Sequence, residues 1–466
     1  MKKGIIALVA LAAAAGISMA SFFAIKSKSE KETRQEEISA ADKVLFELDE
    51  ASLTKIRIDN SDGSYTAEYT DNSWKMTDSS DDVFDLKQDV FSGICTFLSN
   101  LTAHDSYGEA NDENKQKYGL NDPYTITVFS GDESHTLYIG DISPTGDYYY
   151  AYTSEKNNIY AISASDGESL IFDRINLKND SFVPYTDNDI VGMTLKKNGD
   201  VVYDLTFDTN AGLWQLPEEY SMLTVNQTKP SNMVTLITRL TAEIMYPESD
   251  DDMETFNFDE PAAEFIVTGA DGTQRTILMS HFGSEAKTYT HTYMTDSKQV
   301  EVYYASDLKF IDYEVFDFIT QSVENANMYS ITDFEINCSG LSDKFTFDSA
   351  SMKAECRGTE IDLNNAELKS YFETFYNTFS YLNITGIDID AEPKLEEPVF
   401  TAKYTFKDGG SSVIDLVSTG NDNDCYIFID GEYTGTITDL SFMSGTYSML
   451  SAYENLCRQS DLTPNN

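Results

Sequence analysis

Positive charge, cysteine and histidine are all scarce in this 466-residue chain, which has 32 Lys and Arg against 79 Asp and Glu, five Cys and four His. The resulting formal charge of −47 is spread along the chain. It argues against nucleic acid as a partner, because phosphate binding needs a basic stripe. The acidity is read as solubility and self-repulsion rather than as a dedicated cation site. Cys95, Cys338, Cys356, Cys425 and Cys457 are odd in number and never in a CxxC spacing, so no disulfide framework or zinc ribbon follows. Buried free thiols are expected, the alternative being a Cys338–Cys356 pairing across neighbouring strands. His104, His135, His281 and His291 have no spacing that suits a metal site on one element. His281 and His291, flanking Gly283, are the one pair a turn would bring together, and surface histidines are the expectation, with a metal pair as the alternative. No G-x-S-x-G elbow supports a Ser-His-Asp triad. No catalytic residue, cofactor or metal ligand is assigned, and the chain is not expected to be an enzyme.

Aromatic residues, by contrast, are plentiful: 29 Tyr and 27 Phe supply ample surface to bury. The sequence also repeats at a period of roughly 140 residues. Trp74 recurs as Trp214, and Asp122-Pro123 recurs as Glu260-Pro261 and Glu397-Pro398. After Pro123, Pro261 and Pro398 come strand-like runs and then turns at Gly131, Gly272 and Gly409.

Each copy begins with a hairpin pattern, as in Ile56 to Ile58, Asp62-Gly63 and Tyr65 to Tyr69. A helical apolar period follows: Val83, Leu86, Val90, Ile94, Phe97 and Leu101 in the first copy. Met233, Leu236, Ile237, Leu240 and Ile244 mark it in the second, and Leu368, Tyr371, Phe372, Phe375, Phe379 and Leu382 in the third. Asn364 with Glu367 resembles a capping box, and Pro230 suits a first helical turn. A second hairpin and an aromatic strand pair close each copy. The fold class expected is α+β, three tandem ββαββββ units, each a largely antiparallel sheet with one covering helix. Their expected spans are 42–184, 185–326 and 327–460, with a tail at 461–466.

Lys2-Lys3 precede an uncharged run from Gly4 to Ile25, long enough at ~1.5 Å per residue to cross a ~30 Å hydrocarbon core. Ser18-Met19-Ala20 offers a cleavage site, but Phe22, Phe23 and Ile25 continue the run past it. An uncleaved signal anchor is therefore expected over residues 1–26, with a polar stalk at 27–41. The strict Lys/Arg count favours leaving the bulk of the chain in the cytoplasm. The Lys-Lys-apolar beginning is the usual export signal, and an extracytoplasmic bulk is the reading adopted.

Trp74, the helix after it, Tyr118-Gly119-Leu120-Asn121-Asp122-Pro123, Leu137-Tyr138-Ile139-Gly140 and Tyr148 to Tyr160 together resemble a bacterial family of domains of unknown function, numbered 4340. The likeness is good from Asp42 to about Phe172, weaker in the second copy, where Phe256-Asn257-Phe258-Asp259-Glu260-Pro261 stands for the YGL element, and faint in the third. It implies a membrane-anchored exported protein, associated with ABC-transporter membrane components and similar to gliding-motility auxiliary parts. It implies no catalytic residue and no ligand.

Pro123 is expected to lead into an edge strand, Gly119 to end the turn before it, and Leu120 to plug the core. Trp74 and Trp214 are read as core or seam residues. Asp187-Asn188-Asp189 fails as an EF-hand. The clusters Asp250-Asp251-Asp252, Asp388-x-Asp390 and Asn421 to Asp424 are read as solvated loops, with weak calcium binding at one as the alternative. Tyr148, Tyr149, Tyr150 and Tyr152 are the candidate partner contact, because strand alternation sends some of these rings away from the core. The leading expectation is a non-catalytic accessory or scaffold protein of a transport or cell-envelope system. A surface adhesin or glycan-binding protein is the alternative, and a hydrolase the second.

Overall fold

The computed structural model describes residues 43–77, 84–249, 252–280, 288–323, 326–421, 423–446 and 448–464. The expected anchor and stalk, Val83, Asp250-Asp251, His281 with Gly283, and Asp422 lie outside the described residues. No helix among the described residues is long and apolar enough to cross a membrane.

The first sheet is built from β1 (Leu53–Asn60), β2 (Gly63–Thr70), β3 (Ser73–Met76), β4 (Asp105–Glu109), β5 (Tyr124–Ser130), β6 (Glu133–Ile142), β7 (Tyr148–Thr153) and β8 (Asn158–Ser163). They lie in the order β3-β2-β1-β5-β6-β7-β8-β4. Every neighbouring pair is antiparallel. Alternation explains the buried face: Ile56, Ile58, Ile126, Val128 and Leu137 have no exposed surface. Helix α1 (Gln88–Ser99) covers it through Phe91, Ile94, Cys95 and Leu98. Helix α2 (Asp112–Lys117) and helix α3 (Ala164–Glu168) are short.

The second sheet repeats this order with β9 (Ile190–Lys197), β10 (Asp200–Asp208), β11 (Leu213–Gln215), β12 (Ile244–Met245), β13 (Ala263–Gly269), β14 (Gln274–Met279), β15 (Tyr289–Met294) and β16 (Gln299–Tyr304). The sequence around the sheet is β11-β10-β9-β13-β14-β15-β16-β12. Its helices are α4 (Thr228–Ile237) and the single-turn α5 (Asp252–Thr255).

The third sheet comprises β17 (Ile331–Cys338), β18 (Leu341–Asp348), β19 (Lys353–Cys356), β20 (Thr359–Asp362), β21 (Gly386–Ile387), β22 (Phe400–Phe406), β23 (Ser411–Ser418), β24 (Asp424–Ile429) and β25 (Glu432–Asp439). It keeps the same order with β20 added at one edge. Helix α6 (Ala366–Ser380) covers it, and helix α7 (Met449–Ser460) packs beside α6. The chain forms two compact units, one running to Asp180 with Met245–Pro247, the other holding Ser181–Ile244 and everything from Glu248. The second of these units holds both the second and the third copies.

The α+β class stands, but the expected ββαββββ unit is short of strands. The Trp-bearing β3 and β11 are strands, and β4, β12 and β21 add a far edge after each helix. Pro123 also requires correction: β5 lies between β1 and β6 in the interior of the sheet. Its missing N–H falls one residue before the strand, outside the ladder. Gly131, Gly272 and Gly409 do occupy the turns after β5, β13 and β22, all at positive φ.

The helix faces differ from expectation in the first two copies. Phe97 and Leu236 are exposed, whereas Phe91 and Val234 are buried. Leu86, Leu101 and Leu240 are buried from positions beyond the helix ends, and Ile244 is exposed in β12. In the third copy Phe372, Phe375 and Phe379 are buried as expected, and the cap is Asn365, whose side chain accepts from the Glu367 and Leu368 amides. Leu462, at the start of the expected tail, is buried in the third core.

Trp74 and Trp214 are buried core residues, held by the same device. The Trp74 amide donates to Gln88 Oε1 (2.6 Å) while Gln88 Nε2 donates to the Trp74 carbonyl (2.9 Å). Gln227 brackets Trp214 at 2.7 and 3.0 Å. One amide side chain thus fastens the outer strand to the helix beginning. Gln88→Ala is expected to destabilise the first sheet by about 1–2 kcal/mol through two unmade hydrogen bonds. Amide exchange at Trp74 should accelerate while that at Trp214 stays unchanged; equal rates at Trp74 would refute the bracket.

Candidate functional site

Strand β7 divides its tyrosines by alternation. Tyr149 packs on the main core with Ala151 and directly against Gly167 of α3, where a Cβ would come within 2.2 Å of the ring. Tyr148, Tyr150 and Tyr152 take the opposite face, and all four tyrosines are half-buried. The Tyr150 ring lies 4.4 Å from Tyr118 and 5.2 Å from Tyr107. Tyr152 stacks on Tyr138 at 4.3 Å, with Lys115 Nζ 4.3 Å from its centroid. Tyr148 meets His104 at 4.7 Å, and His104 Nδ1 is 2.8 Å from Asp105. Burial, reinforced by Tyr107, Tyr118 and Asp141, pushes the Tyr150 hydroxyl up to about 12. The rings therefore form an aromatic layer, held by internal contacts, on the second face of the sheet.

The YGL segment builds that layer. Asn111 caps α2, its side chain accepting from the Asn114 amide at 2.9 Å. Gly119 follows the helix at φ +69, and a Cβ there would strike the Asp141 carboxylate. The Asp141 amide donates to the Tyr118 carbonyl (3.0 Å), and a Cβ on Gly140 would lie 2.5 Å from that oxygen. The YGL and Leu137-Tyr138-Ile139-Gly140 motifs are thus two halves of one interlock. Leu120 is buried, but in a satellite cluster with Tyr118 and Ile159 rather than in the main core.

The second sheet rebuilds the layer with different residues. By strand register Tyr289, His291 and Tyr293 stand where Tyr148, Tyr150 and Tyr152 do. Phe256 lies 5.0 Å from His291, and the buried Phe258 lies 5.5 Å from Tyr293. Asn257 takes the positive φ of Gly119, which Asn tolerates better than most residues. Burial lowers the His291 pKa. In the third sheet Tyr426 and Phe428 hold the matching positions, and Tyr433 of β25 lies over both.

A second cluster, missed by sequence reasoning, belongs to the third sheet. Register places Asp343 where the other sheets carry Tyr65 and Tyr203. Its side chain is 1% exposed, with Oδ1 2.9 Å from Arg357 Nε in an ion pair that lacks hydrogen-bond alignment. Its Oδ2 accepts from the Tyr453 hydroxyl of α7, and Arg357 also donates to the Thr463 carbonyl. The only sequence signal was an acid where an apolar strand residue belonged.

All five cysteines are free thiols. Burial pushes Cys95 up to about 12, and Cys338, Cys356 and Cys425 up to about 11, far from nucleophilic range. Cys338 and Cys356 sit on β17 and β19 with β18 between them, so they do not adjoin. His135 is paired with Glu155 at 2.7 Å. Asp187 accepts from the Thr235 and Thr238 hydroxyls, which hold its carboxyl below the usual range. Among the described residues no three His, Cys, Asp or Glu side chains are grouped to hold a metal ion.

A family model described as a domain of unknown function (DUF4340) matches residues 80–212 and again 214–398. No curated protein and no solved structure matches the chain.

Proposed function

The chain belongs to the family of domains of unknown function numbered 4340, and on that premise we propose that it is a membrane-anchored, extracytoplasmic accessory or scaffold protein acting by binding. Its partners on this reading are the membrane components of an ABC-type transport or cell-envelope system. The single observation that carries the reading is the aromatic layer, rebuilt in each sheet by different residues at the same register positions. Such half-buried rings offer contact area with little side-chain entropy left to lose. The uncharged run Gly4 to Ile25 supports the anchor.

Tyr148 and Tyr152 are the residues to test, because Tyr150 is wedged between Tyr107 and Tyr118 and its loss would disturb the fold. Full-length protein extracted in mild detergent should co-purify a permease, and the double substitution Tyr148→Ser, Tyr152→Ser should reduce its recovery about tenfold. Thermal melting of both proteins checks folding. No permease with the unmodified chain, together with glycan-array binding lost in the same variant, would replace the accessory reading with the adhesin one.

A further inference from the structure

Within the second compact unit, a cavity of about 350 Å³ opens where residues 222–224 and 319–323 meet the end of the third sheet. Small-molecule sites begin at about this size. Twelve side chains line it and none is charged, although 24% of the chain is charged. Leu223, Ile319, Val323 and Ile427 are buried and form its apolar wall. An anion would find no cation here, and a cation no carboxylate.

The cavity is held open rather than left by loose packing. The Thr320 amide donates to the Thr224 carbonyl (2.8 Å), Val323 to Leu382 (2.8 Å) and Ile384 to Gln321 (3.1 Å), which sews three loop segments together. Gly435, at φ +75 beside the register shift of β24 and β25, leaves room for Met222, whose sulfur would lie 2.4 Å from a Cβ there. Met222 stands at the mouth, half-exposed, with an adaptable thioether. Thr434 and Thr436 share a hydrogen bond at 2.6 Å and are satisfied internally. The hydroxyls of Thr224, Thr320 and Ser322 have no such partner among the described residues and rim the opening.

We propose that this cavity is a binding site for a neutral single-chain amphiphile, an apolar tail with an alcohol or ester end, the tail against Ile319 and Ile427 and the polar end at the Thr224, Thr320 and Ser322 hydroxyls. An apolar wall of this kind favours an apolar guest over water, and the hydroxyl rim suits a polar end. The site does not depend on the accessory reading, and permease capture and ligand binding fail separately.

The test is photolabelling of the full-length protein with a diazirine-bearing decanol, followed by peptide mass spectrometry. Label is expected in peptides containing 222–224 and 319–323, competed by decanol but not by decanoate or decyltrimethylammonium. Thr320→Phe and, separately, Ser322→Trp should each fill the cavity and reduce that label about tenfold. Retained melting temperature in either variant suffices to show that folding is intact. Label scattered over the surface, undiminished in a folded variant, or competed equally by the charged congeners overturns the proposal.

Discussion

Phe334→Ala is expected to destabilise the third sheet by about 3–5 kcal/mol, as truncation of a buried aromatic does when its surroundings cannot collapse. Phe334 has no exposed surface and stacks on Phe345 at 4.9 Å. Its other ring neighbours all come from α6: Tyr376 at 5.2 Å, Phe379 at 5.6 Å, Phe372 at 6.0 Å and Phe375 at 6.3 Å. Those rings are anchored on a helix, so they cannot close over the gap. Hydrogen exchange in urea should show the loss in peptides from 331–464 and none in 43–180, which belong to the other unit. A change below about 1 kcal/mol in the third sheet would contradict the ring cluster as its core.

Asp343→Ala is expected to cost about 3 kcal/mol and to loosen α7. Removing one partner of a buried pair strands the others, here the Tyr453 hydroxyl and the Arg357 guanidinium. Arg357 is about one-third exposed, which places the cost at the lower end of that range because water can reach it. Tyr453→Phe alone should cost about 1 kcal/mol, and the double variant little more than Asp343→Ala, because the groups act as one. Proteolysis and exchange across Met449–Ser460 report the outcome. Unchanged protection of α7 in Asp343→Ala would show that hydrophobic packing alone holds it.

The sequence disclosed elements in proportion to how strongly their residues were patterned. The hairpins β1–β2, β9–β10 and β17–β18 were legible because alternation and a turn glycine coincide, as at Asn198-Gly199, where both residues have positive φ. Helix α6 was legible because its aromatic residues fall on one face. Helix α1 was legible as a helix but its buried face was not, since Val90 and Phe97 compete with Phe91 and Leu98 for the same period, and Gln88 fixes the helix beginning against β3. Strands β4, β12 and β21 carry no readable pattern in five residues or fewer. The aromatic layer was half legible: Tyr150 and Tyr152 do leave the main core, but the cover supplied by Tyr118 and Leu120 depends on how Gly119 and Gly140 let two distant segments touch. The Asp343 cluster joins residues more than a hundred positions apart. No local pattern encodes such a meeting.

The margins of the three sheets have a consequence for life at high concentration. Each sheet is bounded on both sides by a strand of five residues or fewer: β3 and β4, β11 and β12, β20 and β21. A long open margin would offer its unpaired amides and carbonyls as a template to the next molecule. Here the outermost strands are short, which limits the length of ladder another chain could add to them, although β10 is paired on its outer side only at Thr206, Phe207 and Asp208 and β25 only at Thr436 and Ile437. Short edge strands of this kind disfavour edge-to-edge pairing between molecules, and the large negative charge adds repulsion between copies.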